Sequence, residues 1–132
     1  MKSRAPLLRI DLSSARPAYE QIVNGLRTLL VGGEFQPGDR LPPVRQLAID
    51  LGVHHNTVAE SYRVLADEGW LELNRGRGAI VRDRAERKPS TATKLDFHRR
   101  LEELAAKAIA DGVPRASLAE ELSMLARRLS RA

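Results

Sequence analysis

The chain contains no cysteine. That excludes a disulfide framework, a zinc site built on thiolates and a thiol nucleophile, and it fits a reducing cytoplasm. Aromatic residues are also scarce, with two Phe, two Tyr and one Trp among 132 residues. A core must therefore be assembled mainly from Leu, Val, Ile and Ala. No apolar run approaches the roughly 20 residues needed to span a bilayer, and the first residues carry no long apolar stretch. The expectation is a cytoplasmic protein with no membrane partner. Also missing are a phosphate-binding loop, a nucleophile elbow and an evident acid–base pair of carboxylates. Nothing in the sequence therefore points to an enzyme or a cofactor. His54 and His55 invite a metal, but adjacent helical residues point about 100° apart and rarely chelate one ion. His98 is far away in sequence, and the expectation is no metal.

What is present is charge, Leu-rich periodicity and well-placed glycine. Apolar residues make up 42% and charged residues 30%, which is globular composition. The net charge of +5, from 22 Lys and Arg against 17 Asp and Glu, is a modest bias toward polyanions. Its distribution is more informative. Arg75, Arg77, Arg82, Arg84, Arg87 and Lys88 are opposed within their own stretch only by Asp83 and Glu86. Taken alone, such a run reads equally well as a solvated linker.

The periodicity predicts a first helix over Pro17–Gly33, with Tyr19, Ile22, Val23, Leu26, Leu29 and Leu30 on one face. After the Pro37-Gly38 turn, a second helix runs from about Pro43 to a left-handed cap at Gly52, burying Val44, Leu47, Ala48 and Leu51. A third follows over His55–Glu68, with Val58, Ser61, Tyr62 and Leu65 inward. Two short amphipathic helices about a glycine-bearing turn make a helix-turn-helix pattern, which is weak by itself. The next stretch strengthens it. Residues 70–74 alternate as a strand, Arg75-Gly76-Arg77-Gly78 is a basic turn, and Ala79-Ile80-Val81 is a second strand. The fold class expected is α+β and mainly α: a winged helix-turn-helix over residues 1–82. A linker at 83–93 follows, rich in charge, Pro, Ser and Thr. Residues 94–132 should then form two helices. The first runs from Lys94 to Asp111, with Leu95, His98, Leu101, Leu104, Ala105, Ala108 and Ile109 inward. The second follows a break at Gly112-Val113-Pro114, announced by a capping box of Ser117 and Glu120 and striped with Leu118, Leu122, Leu125 and Leu129.

The segments AYEQI, GEFQPGDRLPPVRQLAIDLGV, NTVAESYRVLADEGW and NRGRGAIV closely resemble the DNA-binding domain of GntR-type regulators. The resemblance covers Pro17 to Val81, about half the chain. The remaining fifty or so residues are too short for the ligand or enzyme-like domains of the FadR-, HutC- or MocR-like groups. Two short helices resemble the YtrA-like group, where they serve dimerisation. The resemblance implies a repressor, often of transporter operons, with no large effector-binding domain.

A winged helix lays its third helix in the major groove, so His55, Asn56 and Thr57 are expected at base edges. Asn56 or Thr57 is equally expected to cap that helix. The resemblance adds Arg45 on the second helix, and Arg75 with Gly76 at the wing tip in the minor groove. Arg77 is expected on a phosphate. His55 stands where some members carry arginine, and Ala59 replaces another arginine of the FadR-like group. Reading by helix charge should accordingly give way to Arg45 and the wing. Leu101, Ala105, Ala108, Leu118, Leu122, Leu125 and Leu129 are the candidate dimerisation residues, because a two-helix hairpin cannot bury two apolar faces alone. A homodimer would match a pseudo-palindromic double-stranded operator. A protein-binding winged helix remains a second reading, which the basic wing opposes. A small-molecule effector remains open, with no residue to name for it.

Overall fold

The computed structural model describes residues 7–76, 78–84 and 89–131. Helix α1 (Ala18–Val31) starts after Pro17, whose extended backbone (φ −57°, ψ 145°) makes it the cap rather than the first helical residue. Its Ile22, Val23, Leu26 and Leu30 are buried, as the three- and four-residue spacing requires. Helix α2 (Val44–Leu51) is short and ends at Gly52, which adopts the left-handed conformation (φ 73°, ψ 33°) that other residues reach only with strain. Helix α3 (His55–Asp67) buries Val58, Ser61, Tyr62 and Leu65, the face its sequence pattern indicates. The one polar member is accommodated locally: Ser61 Oγ donates to the Thr57 carbonyl at 2.8 Å and faces the Tyr19 carbonyl of α1 at 3.3 Å.

Strands β1 (Leu71–Asn74) and β2 (Gly78–Val81) pair antiparallel, with Leu71 opposite Val81 and Leu73 opposite Ala79. The outer edge of β2 is not left open. Gly38 N–H donates to the Val81 carbonyl, Val81 N–H to the Asp39 carbonyl and Leu41 N–H to the Ala79 carbonyl, all within 2.8–2.9 Å. The stretch read as a turn before α2 therefore acts as a third ribbon that fixes the wing to the helices. Leu8, Leu41, Leu71, Ala79 and Val81 complete one core with the three helices.

The chain divides after Arg84 into two compact units. In the second, helix α4 (Thr91–Ala110) begins three residues before the expected Lys94, because Ser90 Oγ accepts the Thr93 N–H at 3.0 Å and caps it. Helix α5 (Arg115–Arg131) also begins early, with the Leu118 N–H bonded to the Pro114 carbonyl at 3.0 Å. Ser117 thus lies inside the first turn, and the expected capping box is not the start signal. Between the helices, Gly112 and Val113 donate back to Ile109 and Ala108, closing α4 before Pro114 opens α5.

The inward face expected of α4 is largely absent within one chain. None of its residues is buried, and Ala105, Ala108 and Ile109 are only half-covered, as is Leu118 of α5. Leu95, Leu101 and Leu104 are exposed, as are Leu122, Leu125 and Leu129, together with Phe97 and Met124, which the sequence reading did not single out. His98, expected inward, lies exposed and pairs with Glu102 at 2.7 Å. Ion pairs from Asp96 to Arg99 and Arg100, Arg99 to Glu103, and Lys107 to Asp111 support the helix from its solvent side. Among the described residues no helix is long and apolar enough to cross a membrane.

Candidate nucleic-acid interface

The start of α3 is organised by His54 rather than by the residues expected to cap it. Its Nδ1 accepts the Asn56 N–H at 3.0 Å, and its carbonyl accepts the Thr57 N–H at 3.0 Å. Asn56 and Thr57 occupy the second and third helical positions, so their side chains are not the cap. Asn56 is exposed and Thr57 half-buried. The His54 and His55 rings stack with centroids 4.2 Å apart. That stacking uses the pair for packing, and the cap occupies one of its ring nitrogens. Among the described residues no cluster of three His, Asp or Glu side chains is placed to hold a metal ion.

Arg45, the second residue of α2, is exposed, and its charge reaches His55. Partial loss of hydration, then the neighbouring His54 and Arg45, hold the His55 imidazole below its ordinary range. The first turn of α3 and the start of α2 therefore form one cationic-to-neutral surface, with Arg45 as its permanent charge.

The wing supplies a second group. Arg75 and Gly76 follow β1 directly, and both are exposed. Gly76 has φ 79° and Gly78 φ 75°, left-handed conformations that glycine adopts without strain. Arg77 lies outside the described residues. Between the wing and the helices runs an open cleft of about 350 Å³. Pro43 and Val44 from the start of α2, Ala59 and Tyr62 from α3, and Leu73 and Ala79 from the wing line it, with Arg63 and Arg75 on its banks. Tyr62 is fixed there because its hydroxyl donates to the Pro42 carbonyl at 2.6 Å, and burial pushes its pKa well up, so it stays protonated. Arg45, Arg63 and Arg75 form no ion pair among the described residues. Sequence reasoning missed His54, Arg63 and Leu73. Arg63 had a usable signal, lying four residues beyond Ala59 and so on the same helical face.

Behind the site, Glu68 at the end of α3 ties three elements together. Its carboxylate receives Arg27 of α1 at 2.5 and 3.0 Å, and its carbonyl accepts Arg84 Nε at 2.9 Å. The Arg84 guanidinium lies 4.6 Å from the centre of the Trp70 ring. Arg27, the largest influence, holds the Glu68 carboxyl below its usual range.

A helix-turn-helix followed by a basic hairpin braced on its own core defines the winged-helix class of DNA-binding domains. The chain belongs to the GntR family. Residues 18–81 match the family described as bacterial regulatory proteins, gntR family. The chain is 35% identical to a solved structure of YtrA from Sulfolobus acidocaldarius, described as a GntR-family transcription factor; the match covers 73% of this chain and 98% of that one, with a TM-score of 0.59. It is also 40% identical over 79 residues to the HTH-type transcriptional repressor YtrA of Bacillus subtilis, covering 60% of this chain and 61% of that protein's own length. The DNA-binding domain of AraR, solved in complex with operator ORX1, shares the fold over 56% of this chain and 92% of that one (24% identity, TM-score 0.51). This is a family of transcription regulators and not of enzymes.

Proposed function

We propose that the chain is a repressor that reads a pseudo-palindromic operator as a homodimer in the cytoplasm. The observation that carries this reading is the pairing of two exposed groups on either side of one cleft. Ala59, Tyr62 and Arg63 of α3 line one side and Leu73 and Arg75 of the wing the other, with Arg45, Arg63 and Arg75 unpaired among the described residues. In this reading His55, Asn56 and Thr57 meet base edges in the major groove, where Asn56 can bond bidentately to adenine. Arg45 takes a phosphate or a base at the groove edge, and Arg75 with Gly76 enters the adjacent minor groove. The dimer forms through α4 and α5, which follow the DNA-reading domain in the chain. Repression follows the Bacillus relative, which bears that description.

The test is selection of binding sites from random duplex DNA by the pure full-length protein, followed by affinity measurements across a salt series. The expected outcome is a pseudo-palindrome bound by two protomers, with a steep fall in affinity as salt rises. Arg45→Ala and Arg75→Ala should each weaken operator binding by about 1–3 kcal/mol while leaving the melting temperature unchanged. Selection that enriches no sequence at low salt would defeat the reading.

A further inference from the structure

Leu73 is out of place for a residue with no partner. It shares a strand face with Leu71, and its cross-strand neighbour Ala79 is buried, yet Leu73 itself is 42% exposed. On its own strand the core ends at Leu71, although Ala79 opposite Leu73 still belongs to it. Its side of the hairpin instead forms the wall of the cleft, opposite Ala59 of α3. A wing that only presented a basic tip would have no need of a large apolar residue there. The banks of the same cleft are cationic: Arg63 on the helix side and Arg75 on the wing side, both exposed. The cleft therefore has a largely apolar lining that also includes two exposed arginines.

The geometry points to this cleft as the seat of the operator's sugar–phosphate backbone, where one strand crosses between the major groove read by α3 and the minor groove entered by the wing. The inference rests on the operator reading above and deepens it. A deoxyribose presents an apolar edge and its phosphate a negative charge, which is the complement of a lining that combines Leu73 and Ala59 with Arg63. The cleft is also continuous with the proposed interface, because Ala59 is three residues beyond Asn56 and Arg75 belongs to the wing turn. Leu73 is then a positioning residue for the wing on DNA, and Arg63 a phosphate partner.

The two roles separate by salt. A lost apolar contact weakens binding equally at every ionic strength, whereas a lost phosphate contact also makes the salt dependence shallower. Operator affinity of the full-length chain is measured from low to high salt for Leu73→Thr, Leu73→Met and Arg63→Gln, each checked by thermal melting. Leu73→Thr should raise Kd about five- to tenfold at all salt concentrations with an unchanged slope. Leu73→Met, which restores the apolar surface, should recover wild-type affinity. Arg63→Gln should reduce the magnitude of the log–log salt slope by about 0.9, the value for one phosphate. Wild-type affinity in Leu73→Thr, or an unchanged slope in Arg63→Gln, would overturn the inference. Arg45→Ala and Arg75→Ala are measured alongside. If they lose affinity while the cleft variants do not, the cleft inference fails and the operator reading survives. If none of these variants alters binding, the operator reading fails and takes this inference with it.

Discussion

His54 and His55 divide their work in a way that adjacent identical residues rarely reveal in a sequence. The first caps α3 through Nδ1; the second stacks on it and carries a depressed pKa. A cap by Asn56 or Thr57 was the natural expectation, because those residue types favour helix starts. The chain instead enters the helix one position earlier, which relieves both side chains of capping at the second and third positions and leaves Asn56 exposed. The depressed pKa of His55 has a consequence for stability. The unfolded chain takes up its proton near the ordinary value of 6.5, while the folded chain stays neutral to lower pH. Unfolding therefore takes up a proton in that interval. The contribution of His55 is complete above pH 6.5, declines as pH falls toward the folded pKa, and is constant below it. Denaturation midpoints at pH 8 and pH 5.5 should fall more for the wild type than for His55→Gln; equal falls would show that the site does not titrate in this way. In the proposed complex the sign should reverse, since the negative potential of DNA favours the imidazolium. Wild-type affinity should then rise from pH 7.5 to 6 and that of the variant should not.

At the scale of elements, α1 to α3 and the wing were legible because each signal there is local: helical periodicity, a glycine stop, a basic glycine turn. The third ribbon at Asp39–Leu41 was not, since it consists of backbone hydrogen bonds to β2 that no side-chain pattern records. The exposure of Leu73 was not legible for a related reason. Strand alternation places it on the inward face, but only the packed structure shows where the core ends. The start of α5 was misplaced because Ser117 and Glu120 imitate a capping box, whereas Pro114 already sets the backbone for a helix beginning at Arg115. The wing turn offers a test at this scale. A β-branched side chain at Gly76 would be forced into the left-handed region, at a cost of about 1–2 kcal/mol. Because the bend is exposed and the base of the hairpin is fixed in the core, Gly76→Val should relax the turn rather than unfold the domain. Its melting temperature should drop by roughly 4–8 °C per kcal/mol lost, while operator affinity falls more than stability does. Full retention of binding would mean that the turn does not approach the DNA closely.

For the whole molecule the decisive fact is that the second unit has almost no interior. Two helices spanning Thr91–Ala110 and Arg115–Arg131 expose Phe97, Leu101, Leu104, Leu122, Leu125 and Leu129, and their ion pairs lie on solvated surface worth little individually. Most helical stability in proteins comes from packing an apolar face rather than from propensity. In the proposed dimer a second copy of the hairpin would supply that packing and double the DNA-reading units with the two-fold symmetry of a palindrome. The expectation is strict coupling between assembly and operator binding. Leu122→Glu combined with Leu125→Glu, at residues 39% and 40% exposed, places four like charges across a two-fold interface without touching the winged helix. If the proposed dimer is right, sedimentation should show a monomer for the double variant and a dimer for the wild type, and the helical signal should decline as α4 and α5 lose their packing. Affinity for a single half-site should be unchanged, whereas affinity for the full palindrome should fall to nearly the half-site value, because the second protomer no longer arrives tethered to the first. A double variant that remained dimeric would move the interface elsewhere on the chain. One that was monomeric yet bound the palindrome at full strength would show that the two winged helices read their half-sites independently.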